Sequence, residues 1–251
     1  MTEAAGEPTG LARAAIAEGE RVARRGRIRE VVFGAQDGLL STLALVTGVR
    51  GADTSRYAIL VAGFSGALAG TISMALGAYI AAKSQRDVFA AELEHEREQL
   101  ERRPHVEVIE LADILQAEGL EYDAAQRAAH AIATNQDVML KTMAEKELGI
   151  PYEPAGSPVQ DAGTMGASFV VGAAVPILPY LFLGTTAGLV LSVLLTLATL
   201  FVMGGAKARL AGEHWFRSGA EVAGLAGAAA ALAYVVGTVL PNALGITPSA
   251  G

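Results

Sequence analysis

Charged residues are absent from three long stretches of the chain, and these stretches set the expected architecture. Residues 57–82, 162–206 and 222–251 contain no Asp, Glu, Lys or Arg. A helix needs about 20 apolar residues to cross a hydrocarbon layer roughly 30 Å thick. The first and last stretches are therefore long enough for one span each, and the middle stretch is long enough for two. A buried core helix is the alternative for any one stretch, but three such lengths favour a membrane.

The pattern predicts five transmembrane helices in all. A shorter apolar segment precedes the long stretches and is interrupted by a single acid, Asp37. Residues 183–186, Leu-Gly-Thr-Thr, leave room only for a tight turn between the third and fourth helices. We therefore expect an all-α integral membrane protein. Its expected spans are 31–49, 57–82, 162–182, 187–206 and 219–240.

The segment between the second and third spans differs sharply from its surroundings. Residues 84–160 contain 16 acidic and 7 basic side chains, so this segment is more negative than the whole chain, whose net charge is -7. Pro104, Gly119 and Gly149 are helix-ending signals, so the segment reads as three helices. Three amphipathic helices can bury a small core, and we expect a separate domain. Its expected helices are 84–103, 105–117 and 122–148.

The expected organisation has five regions. An N-terminal arm precedes the first pair of spans, and the acidic helical domain separates that pair from the last three spans and a short tail. The regions are 1–30, 31–83, 84–160, 161–240 and 241–251.

Lysine and arginine are distributed very unequally between the two expected sides of the membrane. With the N-terminus in the cytosol, the cytosolic side holds 17 of them and the far side holds only Arg50 and Arg56. Cytosolic loops carry the excess of positive charge in membrane proteins. The sequence therefore predicts a cytosolic N-terminus and acidic domain.

Composition excludes several classes of protein. The chain has no cysteine, so neither a disulfide framework nor a thiolate metal site is expected. The first 30 residues carry six arginines but no apolar segment, unlike a cleavable signal peptide. No nucleotide loop and no Ser/His/Asp or Cys/His arrangement is present, so we expect no enzyme activity and no cofactor. We also expect no nucleic-acid partner.

Asp37 is the first candidate functional residue. An ionisable side chain within a span costs on the order of 3 kcal/mol on insertion scales and normally faces a polar pathway. Gln36, Ser41 and Thr42 add polar groups nearby, which favours a pathway along this helix. The alternative is an aspartate that caps a helix or forms an ion pair near the interface.

Met74 in the second span is the second candidate. It follows Gly66 and Gly70 at four-residue spacing, and such small residues let helices approach closely. A thioether is a soft ligand that suits late transition metals and suits magnesium or calcium poorly. A methionine in a membrane helix is ordinarily a packing residue, but opposite an intramembrane aspartate it becomes a candidate ligand.

Glutamates of the acidic domain pair on helical faces. Glu92 and Glu96 are four residues apart, and Glu107 and Glu110 are three apart, so each pair lies on one face. Like charges at this spacing destabilise a helix, and a bound cation would compensate them. The alternative is a solvated acidic face.

A further pair lies near the end of the third expected helix. Met143 and Glu147, four residues apart, offer a thioether and a carboxylate on one face.

Four motifs carry a resemblance to a known family. They are FGAQDGL at 33–39, SMALGAY at 73–79 with Lys-Ser at 83–84, ELG at 147–149, and PILPY at 176–180. On these motifs the chain resembles the vacuolar iron transporter family, which includes the yeast vacuolar calcium/iron transporters and many bacterial members. The resemblance covers about residues 28 to 240.

The resemblance implies a homodimer of five-helix protomers that exchanges Fe²⁺ for protons, with a pore at the dimer interface. It implies that Asp37 and Met74 are the metal-handling residues of the membrane. It also implies that cytosolic residues gather metal before transport. These are Glu96, Glu107, Glu110, Glu147 and Met143.

The chain departs from the family pattern at three positions. Gln99 stands where a further glutamate is usual, and Glu98 is a possible substitute on a different face. Plant members have an acid where this chain has Gly26 and a glutamate where it has Gly66. These departures leave the metal preference and the proton coupling open.

The leading hypothesis is efflux of Fe²⁺ from the cytosol in exchange for protons, across a bacterial cytoplasmic membrane. Manganese is an alternative cargo, because carboxylate sites accept both ions. A hypothesis of another class is a membrane-anchored metal buffer or sensor that transports nothing.

Overall fold

The computed structural model describes residues 10–152 and 156–245, with side chains from residue 28 onward except at 210, 211 and 242. The expected arm, acidic domain and tail therefore lie partly outside the described residues, at 1–9, 153–155 and 246–251. The described chain folds into helices without strands. The helices are α1 Gly10–Gly51, α2 Arg56–Arg102, α3 Pro104–Ala117, α4 Tyr122–Ala133, α5 Gln136–Lys146, α6 Pro158–Phe182, α7 Thr185–Ala211 and α8 Trp215–Ala243.

Five described helices are long and apolar enough to cross a membrane, which confirms the predicted number of spans. The apolar segments are Ile28–Gly51 of α1, Arg56–Arg102 of α2, Pro158–Phe182 of α6, Thr185–Arg209 of α7 and Trp215–Pro241 of α8.

The bounds of the first two helices differ from those expected. α1 already begins at Gly10, so the described part of the arm is helical rather than a separate element. α2 has 47 residues, roughly 70 Å at 1.5 Å per residue, which is more than twice what a bilayer requires. Between Arg56 at its start and Lys83 the helix carries no charge, so we assign residues 57–82 to the membrane and the part from Lys83 onward to water.

The chain divides into two compact units. The first, Met1–Tyr79 with Pro158–Gly251, contains the apolar helices. The second, Ile80–Ser157, contains α3, α4, α5 and the charged half of α2.

In the first unit, α1 is the central helix and packs against α6, α7 and α8. Two glycines allow these helices to touch through their backbones. A Cβ on Gly172 would lie 2.2 Å from the carbonyl oxygen of Ala35, and one on Gly237 would lie 1.9 Å from that of Gly48. Any larger residue at either position would force the helices apart. Glycine is therefore required at both points where the helices cross.

Within the first unit, the apolar half of α2 packs against other helices along one side only. On that side Gly63 faces Ile177 and Val46, which a Cβ at this position would contact. Its opposite side carries a run of exposed apolar side chains at three- and four-residue spacing, which is the pattern of a helix that faces lipid. These residues are Tyr57, Val61, Phe64, Leu68, Ile72 and Leu76.

The second unit has its own hydrophobic core. Leu100 of α2, Leu111 and Leu115 of α3, and Leu140 and Met143 of α5 are all buried in it. The prediction of one long helix at 122–148 is wrong, because α4 ends at Ala133 and α5 begins at Gln136. Asn135 caps the start of a separate helix, α5, and its side-chain oxygen accepts hydrogen bonds from the N–H groups of Asp137 and Val138 at 3.0 and 3.2 Å. An asparagine satisfies these free donors well, so it favours a helix start here over helix continuation.

Candidate metal sites

Three glutamates that are far apart in sequence meet at one point of the second unit. Glu96, Glu107 and Glu147 each offer a carboxylate oxygen, and these oxygens lie within 4.8 Å of one another. Glu96 and Glu107 are each only 1% exposed, whereas Glu147 is exposed. We call these three residues the carboxylate cluster.

The helical period explains why two of these acids are buried. Glu96 precedes Leu100 by four residues on α2, and Glu107 precedes Leu111 by four on α3, so each acid lies on the core-facing side of its helix. Leu100 and Leu111 belong to the hydrophobic core. The carboxylate cluster therefore lies alongside apolar packing, where charge is poorly solvated.

Electrostatics in the carboxylate cluster are unfavourable without a cation. Burial first, and then the charges of Glu147, Glu107 and Glu110, raise the pKa of Glu96 to about 7. Burial and Glu110 raise the pKa of Glu107, although Arg103 acts in the opposite direction. Desolvation and the charges of Glu110 and Glu107 likewise raise the pKa of Glu147. Every carboxylate of the cluster thus has its ionisation disfavoured by burial and by at least one neighbouring glutamate.

The oxygen Oε1 of Glu96 is buried and has no hydrogen-bond partner within the described residues. Nearby cations are engaged with exposed acids instead: Arg97 pairs with Glu94 at 3.0 Å and Arg102 with Glu98 at 3.3 Å. A buried carboxylate oxygen without a partner is expensive. A divalent cation bound between the three oxygens would satisfy it.

The other predicted residues of this region surround the carboxylate cluster in different ways. Glu110 is half-buried and acts on all three glutamates through its charge. Met143 is fully buried in the core, and its carbonyl accepts the N–H groups of Glu147 and Leu148 at 2.8 and 3.3 Å in the last turn of α5. Its role as a thioether ligand stays a prediction.

Gln99, which departs from the family pattern, and its possible substitute Glu98 both contact arginines. Gln99 accepts a hydrogen bond from Arg103 at 3.2 Å. Glu98 pairs with Arg102, so its carboxylate is directed to a different partner from the acids of the carboxylate cluster.

Asp37 and Met74 lie in the first unit and line the same cavity of about 190 Å³, which we call the membrane groove. α1 contributes Asp37, Ser41, Thr42 and Leu45, α2 contributes Gly66, Gly70, Ser73 and Met74, and α6 contributes Phe169. The spacing of the α1 residues by four places them along one face. The groove therefore combines one carboxylate, one thioether and three hydroxyl groups in an apolar wall.

Within the described residues, Asp37 neither caps a helix nor forms an ion pair, the two alternatives considered for an intramembrane acid. It lies 27 residues beyond the first residue of α1, far from the end of that helix. Among the described side chains it forms no ion pair. Ser41 donates its hydroxyl to the backbone carbonyl of Asp37 at 2.6 Å, so the carboxylate itself remains available to the groove.

Leu45 and Phe169 shape the groove and were not singled out by the sequence. A Cβ on Gly66 would lie 2.3 Å from Cδ2 of Leu45, and one on Gly70 would lie 2.3 Å from the ring of Phe169. The two glycines thus leave the space that these side chains fill. No sequence signal marks an apolar residue for such a role.

Comparison with known proteins identifies the chain. The profile of the VIT family matches residues 28–238, which include both candidate sites. The chain belongs to the VIT family. It is 36% identical over 208 residues to Vacuolar iron transporter 2 of Oryza sativa subsp. japonica, covering 82% of this chain and 85% of the rice protein.

Two further relatives extend the comparison of this VIT family member. Vacuolar iron transporter 1 of Arabidopsis thaliana is 35% identical over 216 residues, which cover 86% of each protein. Protein CCC1 of Saccharomyces cerevisiae is 28% identical over 190 residues, covering 73% of this chain and 58% of the yeast protein. The family is one of transporters, so the chain is not an enzyme, as expected.

Proposed function

We propose that this VIT family member exports a divalent metal ion, Fe²⁺ in the first place, from the cytosol in exchange for protons. The observation that carries the proposal is the carboxylate cluster, in which two buried glutamates and a third converge within 4.8 Å. The names of its plant relatives, which are vacuolar iron transporters, support iron as the cargo.

The carboxylate cluster would collect the ion. Metal binds the deprotonated ligands, so binding releases protons from carboxyl groups whose pKa is raised. A site of oxygen donors accepts Fe²⁺ and Mn²⁺ alike, and Met143 would add preference for the softer ion if its sulfur takes part. Glu110 would strengthen attraction through its charge.

The membrane groove would carry the ion across. Asp37 offers the charge that offsets the loss of water, and Met74 offers a soft donor across the same cavity. Protonation of Asp37 after release of the metal would return a proton. The resemblance implies that a second copy of the chain completes this pathway, so we propose a homodimer.

The direction of transport rests on the distribution of charge. Seventeen of the 19 Lys and Arg residues fall on the side that carries the acidic domain. By the positive-inside rule this side is the cytosol. The carboxylate cluster would then collect metal from the cytosol.

The decisive experiment is metal flux into proteoliposomes across an imposed pH gradient, with Fe²⁺, Mn²⁺ and Zn²⁺ in competition. The D37N variant should lose essentially all flux, because it removes the only acid of the membrane groove. The matched control is D53N, which changes an exposed aspartate that pairs with Arg50 on the α1–α2 connection. Flux retained in D37N, or lost equally in D53N, would contradict the pore assignment.

The second candidate function, a membrane-anchored buffer or sensor, is favoured by one observation. The whole carboxylate cluster lies within the second unit and needs no residue of the membrane groove. This hypothesis requires metal binding without flux in the same proteoliposomes, so the one assay separates the two functions.

A further inference from the structure

Three aromatic side chains form a compact group at the connection between α7 and α8. The ring centroids of Phe201, Trp215 and Phe216 lie 5.5 to 5.8 Å apart, and each pair meets edge to face. Trp215 is 46% exposed and Phe216 is 63% exposed. Aromatic side chains with one apolar and one wet side are typical of the level at which a membrane meets water.

The chain around these rings places them at such a boundary. The uncharged stretches 162–206 and 222–251 end on either side of the connection. Gly212 adopts a left-handed conformation with φ of 74°, and the N–H of Glu213 bonds to the carbonyl of Ala208 at 2.8 Å. This cap ends α7 abruptly and brings the first turn of α8 beside its last turn.

Three cations accompany the aromatic group and have no anionic partner in the described part of the protein. They are Lys207, Arg209 and Arg217, all exposed. The other described cations of the first unit do have partners: Arg29 pairs with Glu30, Arg50 with Asp53, and Arg56 donates to the carbonyls of Tyr180 and Leu181. Glu213 and Glu221 lie nearby in sequence, but neither forms an ion pair with the three cations.

The aromatic group holds one of these cations in place. The guanidinium of Arg209 lies over the ring of Trp215, 5.6 Å from its centroid. This contact orients the guanidinium without using its N–H donors, which have no partner among the described residues and can bind an anion. Arg217 follows on the first turn of α8, where the helix dipole also favours negative charge.

We propose that the headgroup of an anionic phospholipid binds at the α7–α8 connection, with its phosphate at Arg209 and Arg217 and its acyl chains beside Phe216. Charge complementarity selects this occupant, because three cations without an ion pair among the described residues lie at the edge of an apolar surface. A guanidinium binds a phosphate through two parallel hydrogen bonds. The indole N–H of Trp215, which has no partner among the described residues, supplies a further donor.

Trp215 is the only tryptophan of the chain, so its fluorescence reports on this site alone. The experiment reconstitutes the full chain in vesicles of phosphatidylcholine and phosphatidylglycerol and brominates one lipid at a time, because bromine quenches a tryptophan that it contacts. Each quenching value is normalised to the same variant in unbrominated vesicles of equal composition. Brominated phosphatidylglycerol should quench Trp215 more strongly, with a preference of roughly fivefold for a headgroup held by a surface cation.

The preference should fall to about one in the R209Q/R217Q variant and should be reduced in R217Q alone, which leaves the contact between Arg209 and Trp215 in place. The control is R127Q, which removes an exposed arginine of the second unit and should leave the preference intact. Equal quenching by both lipids in the unchanged protein, or a preference that survives in R209Q/R217Q, would overturn the proposal.

A soluble anion site is tested with inorganic phosphate added to the protein in neutral detergent. Trp215 fluorescence should not respond, and a saturable response would replace the lipid with free phosphate.

Discussion

The carboxylate cluster and the membrane groove both offer oxygen donors to a cation, but they are built on opposite principles. The carboxylate cluster concentrates negative charge beside a hydrophobic core, so that its acids repel one another. The membrane groove contains a single acid, and its shape depends on glycines that admit Leu45 and Phe169. The first arrangement suits capture of a cation from water, and the second suits its passage. A site that is governed by charge should respond to neutralising substitutions, whereas a site governed by shape should respond to added volume.

The largest expected effect is a loss of metal affinity in the carboxylate cluster together with a gain in stability of the metal-free protein. The E96Q/E107Q variant should bind Zn²⁺ or Fe²⁺ at least about 100-fold more weakly, since loss of a direct ligand exceeds the effect of losing a residue that supports one. The same change should stabilise the metal-free protein, because it removes two buried acids that repel each other. Calorimetric titration measures the first effect and thermal unfolding measures the second.

The control for this variant is E94Q/E98Q, which neutralises two acids of α2 that pair with Arg97 and Arg102. It should leave metal affinity unchanged. Equal loss of affinity in both variants would mean that the acidic surface attracts metal as a whole.

The next effect concerns the shape of the membrane groove. A Cβ in G70A would lie 2.3 Å from the ring of Phe169, so the ring must move, at a cost of about 1–3 kcal/mol. The matched control is G77A on the same helix, where a Cβ would have no neighbour within 4 Å. G77A should be neutral or stabilising by up to about 1 kcal/mol, because alanine favours a helix.

G70A should have a lower thermal unfolding temperature in detergent and a lower proteoliposome flux than G77A. The two variants should have the same metal affinity at the carboxylate cluster. If G70A matched G77A in stability and flux, shape would not govern the membrane groove.

The smallest expected effect is the pH dependence of the metal-free carboxylate cluster. The pKa of Glu96 rises from its ordinary value of 4.5 to about 7 in the folded protein, so folding takes up a proton between these values. The stability from this group is fully present below pH 4.5 and is lost as pH rises through about 7. The loss is on the order of 1 kcal/mol once solvent screening is allowed for.

Hydrogen exchange of the α3 amides, corrected for intrinsic rates, measures this trend between pH 5 and 8. Saturating metal should abolish the decline, because it favours the deprotonated carboxylates. A metal-free protein that became more stable over this range would contradict the repulsion inferred for Glu96.

The sequence predicted the parts of this protein that depend on local pattern. The uncharged stretches located the spans, because about 20 apolar residues in succession are what a helix needs to cross a membrane. The break at Asn135 was missed because the flanking residues favour helix on both sides and only a cap separates them. Four-residue spacing could place only Glu92 on the same face as Glu96. The grouping of Glu96 with Glu107 and Glu147 came from the resemblance alone, because tertiary packing brings them together.

The membrane groove was predictable only for its polar members. Asp37 and Met74 stood out because of their chemistry in an apolar setting. Phe169 did not, because an apolar residue among apolar residues has no distinguishing feature until the fold places its ring against Gly70.

Leu45 and Gly66 are coupled positions of the membrane groove, and the resemblance implies a glutamate at the second of them in plant members. Leu45 already fills the space into which a side chain at Gly66 would project. A glutamate at position 66 would require the end of the Leu45 side chain to turn away or a smaller residue at position 45. The two positions are therefore coupled by contact, so the effect of a substitution at 66 depends on the residue at 45.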